Sequence, residues 1–545
     1  MSSVLRLMPL GGLGEVGRNM TVFELDGRIL LVDCGVLFPD LQQPGVDLIL
    51  PDFAPIRDRL DKVEALVLTH GHEDHIGAVP YLLRLRSDIP LIGSPLTLAF
   101  VEEKCKEQRL SPNLRRVAPL DRLKVGDFDL EFVSVNHSIP DAMAVFIRTS
   151  AGNIFHTGDF KLDQWPLDSR LTDLPSFARF GAEGVDLFMC DSTNADIAGY
   201  IPYERDIGPV LDSLIAKTEG RAIVACFSSH VARVQQVLNA AAANNRQVAL
   251  LGRSMIRNMS IAAQLGFLQV PDGVLIDAAI AETLPYDRVV YVCTGSQGEP
   301  LAVLSRMADG TFQIVPGPGD RVIFASSLIP GNESSVYKLM DKLYDLGAEV
   351  SHKGNAFVHV SGHCASGELL YCYNILKPKF AMPIHGERRH LVANKRVAEK
   401  SGMSSDSVIL ASNGTVVQLD DSGARVVDQV DIELVYVDGN NIVTDRELKD
   451  RLALSEDGFI SITVVVNKDS GEIVSTPHIY TRGFAEGYEV FEDVVNEVVS
   501  ELKHAIGSGV LDEHDLTRIV RRVVGSWAGR KIRRHPVIVP LVVTV

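Results

Sequence analysis

Thr69-His70-Gly71-His72-Glu73-Asp74-His75 places three imidazoles and two carboxylates within six residues, His70 to His75. It follows Ala65-Leu66-Val67-Leu68, an apolar run that reads as a buried strand, and precedes Ile76-Gly77-Ala78-Val79-Pro80-Tyr81-Leu82-Leu83, which reads as the start of a helix. Side chains on the loop after a buried strand are held close together. Imidazole nitrogen and carboxylate oxygen form the ligand set of zinc. The pattern HxHxDH is too rich in ligands for satisfied core histidines. His70 and His72 can serve one metal, and Asp74 and His75 a second.

One loop cannot complete a two-metal site. The chain has 15 histidines, so candidates can be weighed singly. His137 lies in Val135-Asn136-His137-Ser138-Ile139-Pro140-Asp141, Asp159 in His156-Thr157-Gly158-Asp159-Phe160, and His385 in Met382-Pro383-Ile384-His385-Gly386-Glu387. Each follows a strand-like run. A polar residue there can be a structural cap, but three in this order after HxHxDH read as ligands. Asp159 is best placed to bridge, since one carboxylate can offer an oxygen to each cation. A water between two cations ~3.5–4 Å apart becomes hydroxide near neutral pH, so the expected chemistry is hydrolysis by metal-bound hydroxide.

Around the motif, residues 21–25 and 28–33 read as a hairpin closed by Asp26-Gly27. This weakens the dinucleotide reading of Gly12-Leu13-Gly14-Glu15-Val16-Gly17, because that fingerprint requires a helix to follow it. From residue 206 to 346, strands alternate with helical segments: 222–226, a helix at 231–243, 248–251, 289–293 and 322–325. The alternation predicts a parallel α/β unit. Ligand-type residues return afterwards at His359, His363 and His385, so the unit is expected to be inserted into the metal domain. Composition shifts again near Asp438-Gly439-Asn440-Asn441. Beyond it, strands at 458–466 and 537–545 with helices at 489–504 and 516–524 predict a small α+β domain. The expected boundaries are 1–205, 206–350, 351–437 and 438–545.

At 545 residues, 46% hydrophobic and 23% charged, the composition is globular. No apolar run reaches the ~18 residues that span a bilayer, and no secretory signal opens the chain. The 7 cysteines lack motif spacing; Cys34, Cys190, Cys226 and Cys293 close strand-like runs, as expected for a reducing cytoplasm. A net charge of −17 argues against indiscriminate coating of nucleic acid. Two local clusters are basic, 388–400 and 518–534, and each can equally be a solvated helix face.

The ligand series resembles that of the metallo-β-lactamase superfamily. By that resemblance, His70, His72 and His137 hold one metal and Asp74, His75 and His385 the other, with Asp159 shared. Leu187-Phe188-Met189-Cys190-Asp191-Ser192-Thr193 and His359-Val360-Ser361-Gly362-His363 resemble further motifs of the β-CASP nucleases. The resemblance implies that Asp191 orients His363 and that His363 stands near the leaving oxygen, which suits a phosphodiester. With Gly11 to Asn19, Asp191-Ser192-Thr193-Asn194, Cys293-Thr294-Gly295-Ser296-Gln297-Gly298-Glu299-Pro300 and Pro383 to Glu387, the whole chain resembles the bacterial ribonuclease J family. The implied architecture is α/β: a metallo-β-lactamase αββα sandwich, an inserted β-CASP domain and a small C-terminal α+β domain.

That resemblance implies two zinc ions per chain, with manganese or magnesium as alternative activators, and a structural cation such as calcium near Asp438. It implies 5′-to-3′ exonuclease and endonuclease action on RNA in maturation and decay, with preference for a 5′-monophosphate. It also implies a cytoplasmic homodimer or homotetramer, with other RNA-decay proteins as partners and no membrane. The chain departs from the usual form at His230, where asparagine is common, and at Ala232, where histidine is common. Ser229, His230, His359, Val360, Ser361, Gly362 and His363 are the expected substrate contacts. Amides around Ser361-Gly362 would cradle the phosphate, and enlarging Gly362 is expected to suppress stepwise decay more than internal cutting. A small-molecule metallohydrolase would need neither the insertion nor Asp191 and His363. A DNA-directed relative would share them, and a non-catalytic partner subunit should have lost ligands.

Overall fold

The computed structural model describes residues 3–40, 42–329, 332–439, 441–467, 469–485 and 488–545. Asp26 and Gly27 both take positive φ, 49° and 80°, as a tight two-residue hairpin turn requires. They join strands Met20–Leu25 and Arg28–Val32 in antiparallel register, Leu25 opposite Arg28. This hairpin is central in an eight-stranded sheet ordered Gly423–Gln429, Thr415–Asp420, Leu5–Gly11, Met20–Leu25, Arg28–Val32, Val63–Val67, Pro90–Gly93 and Asn113–Arg116.

A six-stranded sheet packs against it, ordered Phe380–Ile384, Leu187–Asp191, Gly152–His156, Met143–Thr149, Phe128–Ser134 and Arg122–Val125. Leu7, Phe23, Leu30 and Val67 of the first sheet share one buried core with Phe132, Val145, Ile154 and Met189 of the second. The opposite face of the second sheet, Phe146, Phe155 and Phe188, is covered by helices Leu174–Glu183 and Ser366–Leu376 through Phe177, Phe180, Leu369 and Tyr373. Buried aliphatic and aromatic area of this kind is the main favourable term of the fold, at about 25 cal/mol per Å².

The chain leaves this sandwich after Leu187–Asp191, returns with the helix Ser366–Leu376 and rejoins the sheet at Phe380–Ile384, which pairs in parallel with the strand it left. Between them lies a five-stranded sheet, ordered Gln247–Leu251, Val289–Cys293, Ala222–Ala225, Arg321–Phe324 and Glu349–Ser351, every pairing parallel. The expected helix occupies Val231–Ala243.

Residues through Phe38 with 49–434 form one compact unit, and 39–48 with 435–545 a second. In the second, Phe459–Val466 alternates buried and half-buried residues and pairs with His478–Arg482 and, in parallel, with Val537–Thr544. Ile460, Ile462 and Val464 pack on Val494, Val498, Val520 and Trp527 of two helices. These helices run Glu492–Gly507 and Glu513–Trp527, displaced from the expected spans. A 3-10 turn, Tyr488–Phe491, precedes the first. The second starts early because the Asp512 carboxylate accepts from the amides of His514 and Asp515. Segment 39–48 is tied in by Asp47, whose amide donates to the Val437 carbonyl.

All seven cysteines are buried free thiols. No helix among the described residues is long and apolar enough to cross a membrane.

Candidate metal centre

The HxHxDH segment is not a loop leading into one helix at Ile76. It contains a one-turn helix, Glu73–Ile76, followed by a second, Val79–Leu85. Cys34 and Val36 amides donate to the carbonyls of His75 and Glu73, drawing the turn onto the segment after Arg28–Val32. The approach leaves no room at Gly35, where a Cβ would lie 1.6 Å from the Asp74 carbonyl oxygen.

His70, His72 and His137 form one ligand group. Their ring nitrogens meet at 3.1 Å, His70 Nε2 and His137 Nε2 each against His72 Nδ1. His137 Nδ1 donates to the Gly362 carbonyl at 2.7 Å, which leaves a lone pair on its Nε2. Thr69 Oγ1 donates to Asp33 and stands 3.0 Å from His70 Nδ1, fixing that ring the same way. Burial lowers His70 and His137 well below the usual histidine range and His72 to about 4. Unprotonated nitrogens pointed at one another at this distance fit a cation between them.

Asp74, His75, Asp159 and His385 form a second group. Asp159 Oδ2 lies 3.1 Å from His75 Nε2, 3.4 Å from His385 Nε2, 3.7 Å from His70 Nε2 and 3.8 Å from His137 Nε2. It therefore faces both groups, while its buried Oδ1 has no hydrogen-bond partner. Asp74 Oδ2 is 3.3 Å from His385 Nε2. Burial opposes charge on His75, yet Asp159, Asp33 and Asp74 raise it well above its ordinary value. The same contest, with Asp159, Asp191 and Asp74, raises His385 to about 10. These carboxylates demand positive charge, which a metal can supply in place of protons. The donor sets fit two cations.

His385 has φ 51°, uncommon for a side-chain-bearing residue. It is held by the glycine loop: Gly14 donates to the Gly386 carbonyl, and Gly386 to that of Gly12. The GxGxxG stretch thus braces a ligand, and the strand Met20–Leu25 follows it as expected.

Beside the ligands, His363 Nδ1 lies 2.8 Å from Asp191 Oδ2. The His363 ring centre is 5.0 Å from that of His137 and 5.3 Å from that of His385. Burial disfavours its charge, but Asp191 overcomes this and raises it. Ser361 Oγ accepts from Asn194 Nδ2 at 2.7 Å, and the same amide reaches the His363 carbonyl at 3.0 Å. Val360 and His359 are buried. His230 occupies the N-cap position of the helix Val231–Ala243 with no side-chain capping bond, and Ser229 precedes it, half-buried.

One expectation needs correction. A Cβ on Gly362 would lie 2.8 Å from the His137 ring, so enlarging it disturbs a candidate metal ligand and is no selective probe of a phosphate pocket. Asp438, the expected cation site, is engaged by Arg451 at 2.7 Å, and among the described residues it joins no group of three or more His, Cys, Asp or Glu side chains. The second basic cluster is largely balanced by acids: Arg518 with Asp515, Arg522 with Glu501, Arg530 with Glu497 and Lys531 with Asp493. In the first, Arg388, Arg396 and Lys400 remain exposed.

The orienting residues escaped the sequence reading. Asp33 Oδ2 receives His75 Nδ1 at 2.8 Å, and Thr193 Oγ1 meets His385 Nδ1 at 2.6 Å. Asp33 had a usable signal, an acid directly after the apolar run Leu30-Leu31-Val32. Glu204 and Arg233, a buried pair at 2.9 Å, had none.

Two facing sheets with helices outside, ligands at their strand ends and a parallel α/β insertion define a metallo-hydrolase of the metallo-β-lactamase superfamily with a β-CASP domain. Family models agree along the chain: a beta-lactamase superfamily domain at 28–202, the ribonuclease J beta-CASP domain at 219–343, a Zn-dependent metallo-hydrolase RNA specificity domain at 347–409 and the ribonuclease J C-terminal domain at 446–545. Ribonuclease J of Mycolicibacterium smegmatis is 51% identical over 544 residues, covering 99% of this chain and 97% of that protein. Ribonuclease J of Mycobacterium tuberculosis is 50% identical over 547 residues, covering 100% and 98%. A protein of unknown function from Enterococcus faecalis shares the fold over 76% of this chain and 100% of its own, at TM-score 0.53 and 16% identity. The chain belongs to the ribonuclease J family. It is a metal-dependent hydrolase of the nuclease class whose substrate is RNA.

Proposed function

We propose that this chain degrades RNA stepwise from a 5′-monophosphate end and also cuts unpaired RNA internally. One observation carries the end preference. His230 and His359 are buried neighbours, ring centres 6.3 Å apart, with ring nitrogens that have no hydrogen-bond partner, and we read the space they line as a polar recess suited to a phosphate.

His70, His72 and His137 would hold one cation and Asp74, His75 and His385 the other, with Asp159 facing both groups. Zinc is the proposed resident, with manganese or magnesium as alternatives. When bound, cations there would supply Lewis-acid charge and make a water more acidic. Asp191 keeps the proton of His363 Nδ1 in place, so the opposite nitrogen can deliver a proton to the departing 3′ oxygen as the P–O bond breaks. Ser229, His230, His359, Val360, Ser361 and Gly362 enclose the terminal phosphate. A 5′-hydroxyl leaves their donors unpaired, at about 1.5–3 kcal/mol for each lost charge-assisted bond, and a triphosphate overfills the recess.

The proposed domains are 1–205, 206–350, 351–437 and 438–545. The chain acts in the cytoplasm in RNA maturation and decay, with other decay proteins as partners. It assembles as a homodimer or homotetramer through the last domain, where Val539, Leu541 and Val543 are exposed on the edge strand Val537–Thr544.

The test uses 5′-monophosphate, 5′-hydroxyl and 5′-triphosphate RNA, with matched DNA, resolving single-nucleotide products. Mononucleotide release should be fastest from the monophosphate and absent from DNA. Equal stepwise rates on all three ends would remove the pocket from the mechanism.

A further inference from the structure

His230 is 1% exposed, and neither ring nitrogen has a hydrogen-bond partner. His359, 6% exposed, leaves Nδ1 unpartnered, and the two ring centres are 6.3 Å apart. Buried polar atoms without partners are rare and costly, so such a cluster points to a ligand. The neighbouring guanidinium is already occupied. Arg233 gives Nε and Nη2 to Glu204 Oε1 and Nη1 to the carbonyls of Ala325 and Val358. An anion entering the recess therefore meets imidazoles as its ionisable donors.

The two imidazoles are not equivalent. His230 Nε2 stands 3.5 Å from Glu204 Oε1, which can support an imidazolium. His359 has Arg233 as its strongest charged neighbour, which opposes a second positive charge. The other charged groups acting on the pair are Lys161, held by Asp163 at 3.2 Å, and Lys353; His230 also acts electrostatically on His72 of the candidate metal ligands. Burial keeps both rings below the ordinary histidine value in the free protein. A neutral ring offers one donor and one lone pair, and a lone pair facing a phosphate oxygen is repulsive.

We propose that His230 is the specificity-determining proton acceptor of the terminal-phosphate recess: capture of a dianionic phosphate draws one proton from solvent onto His230, which then donates Nδ1–H to the phosphate and Nε2–H toward Glu204. His359 contributes a neutral N–H. This rests on the phosphate-recess reading above and adds that recognition of the 5′ end is coupled to proton uptake.

The test is titration calorimetry of the full-length, zinc-loaded protein with uridine 5′-monophosphate, and with uridine as control. It is run at about pH 8, where a phosphate monoester with second pKa ~6 is dianionic, in two buffers of different ionisation enthalpy. The expected result is uptake of about one proton per nucleotide and none for uridine. Affinity for the nucleotide should fall about tenfold per pH unit above that point, as one-proton linkage requires. His230→Asn should abolish the uptake and weaken nucleotide binding, while His359→Gln weakens binding and keeps the uptake. No uptake by the unaltered protein overturns the proposal, whether or not the variants fold. If His230→Asn weakens binding without uptake in the parent, the recess stands and the proton coupling fails. If both variants bind like the parent, the recess reading itself fails.

Discussion

Asp33 and Asp191 do for His75 and His363 the same physical work toward different ends. Each accepts the Nδ1 proton at 2.8 Å and fixes which nitrogen faces the centre. Behind a metal ligand, that contact sharpens the lone pair; behind His363, it keeps a proton available. Asp33→Ala should therefore loosen the second cation by about 10–100-fold, the usual loss when a ligand's orienting partner is removed, read by competition with a chelator. Unchanged metal affinity would remove Asp33 from this role. His363→Ala should keep both metals and lose roughly 10²–10⁴-fold in rate, the scale of general acid catalysis. Loss of metal along with activity would make His363 a ligand instead.

The helix Ser366–Leu376 shows how an element is fixed beside the site. Glu368, in its first turn, accepts from the amides of Leu162 and Ile201 at 3.1 Å and of Ala365 at 2.7 Å. One buried carboxylate thus joins the segment after Asp159, the segment after Asp191 and the turn after His363. Glu368→Ala leaves three donors without their acceptor and should destabilise the fold by about 3–5 kcal/mol, measured by denaturant unfolding. Glu368→Gln, keeping one carbonyl acceptor, should lose less. Equal stability of all three proteins would show that water replaces the carboxylate.

For the whole molecule, metal and assembly give the accessible tests. Cations that bind only the folded chain stabilise it by mass action, so chelation should lower the melting temperature and zinc should restore it. A chelated protein melting like the loaded one would contradict the proposed pair of cations. Truncation near residue 440 is a poor test of assembly, because it removes Arg451, which holds the Pro44 and Gly45 carbonyls. Leu541→Glu is cleaner. It places a charge on an exposed edge-strand position and should lower the oligomeric state seen by sedimentation without removing the domain. Unaltered sedimentation would place the subunit contact elsewhere.

Periodicity and strand-end position made the candidate ligands legible in the sequence: His70, His72, Asp74, His75, His137, Asp159 and His385 each follow an apolar run, and the fold brings these side chains together. The parallel insertion was legible for the same reason, as alternation of strand and helix. The tertiary structure alone decided the outer partners. Asp33 is 42 residues from His75, Thr193 is 192 from His385, and Gly362 is 225 from His137. No local pattern marks a carboxylate or a backbone carbonyl as the acceptor for a distant imidazole. It also decided that segment 39–48 belongs with the last domain, and that His230 is left with bare nitrogens beside Glu204. Local sequence sets which side chains stand at the ends of elements; which of them meet, and what remains unpaired, depends on how sheets separated by hundreds of residues close on one another.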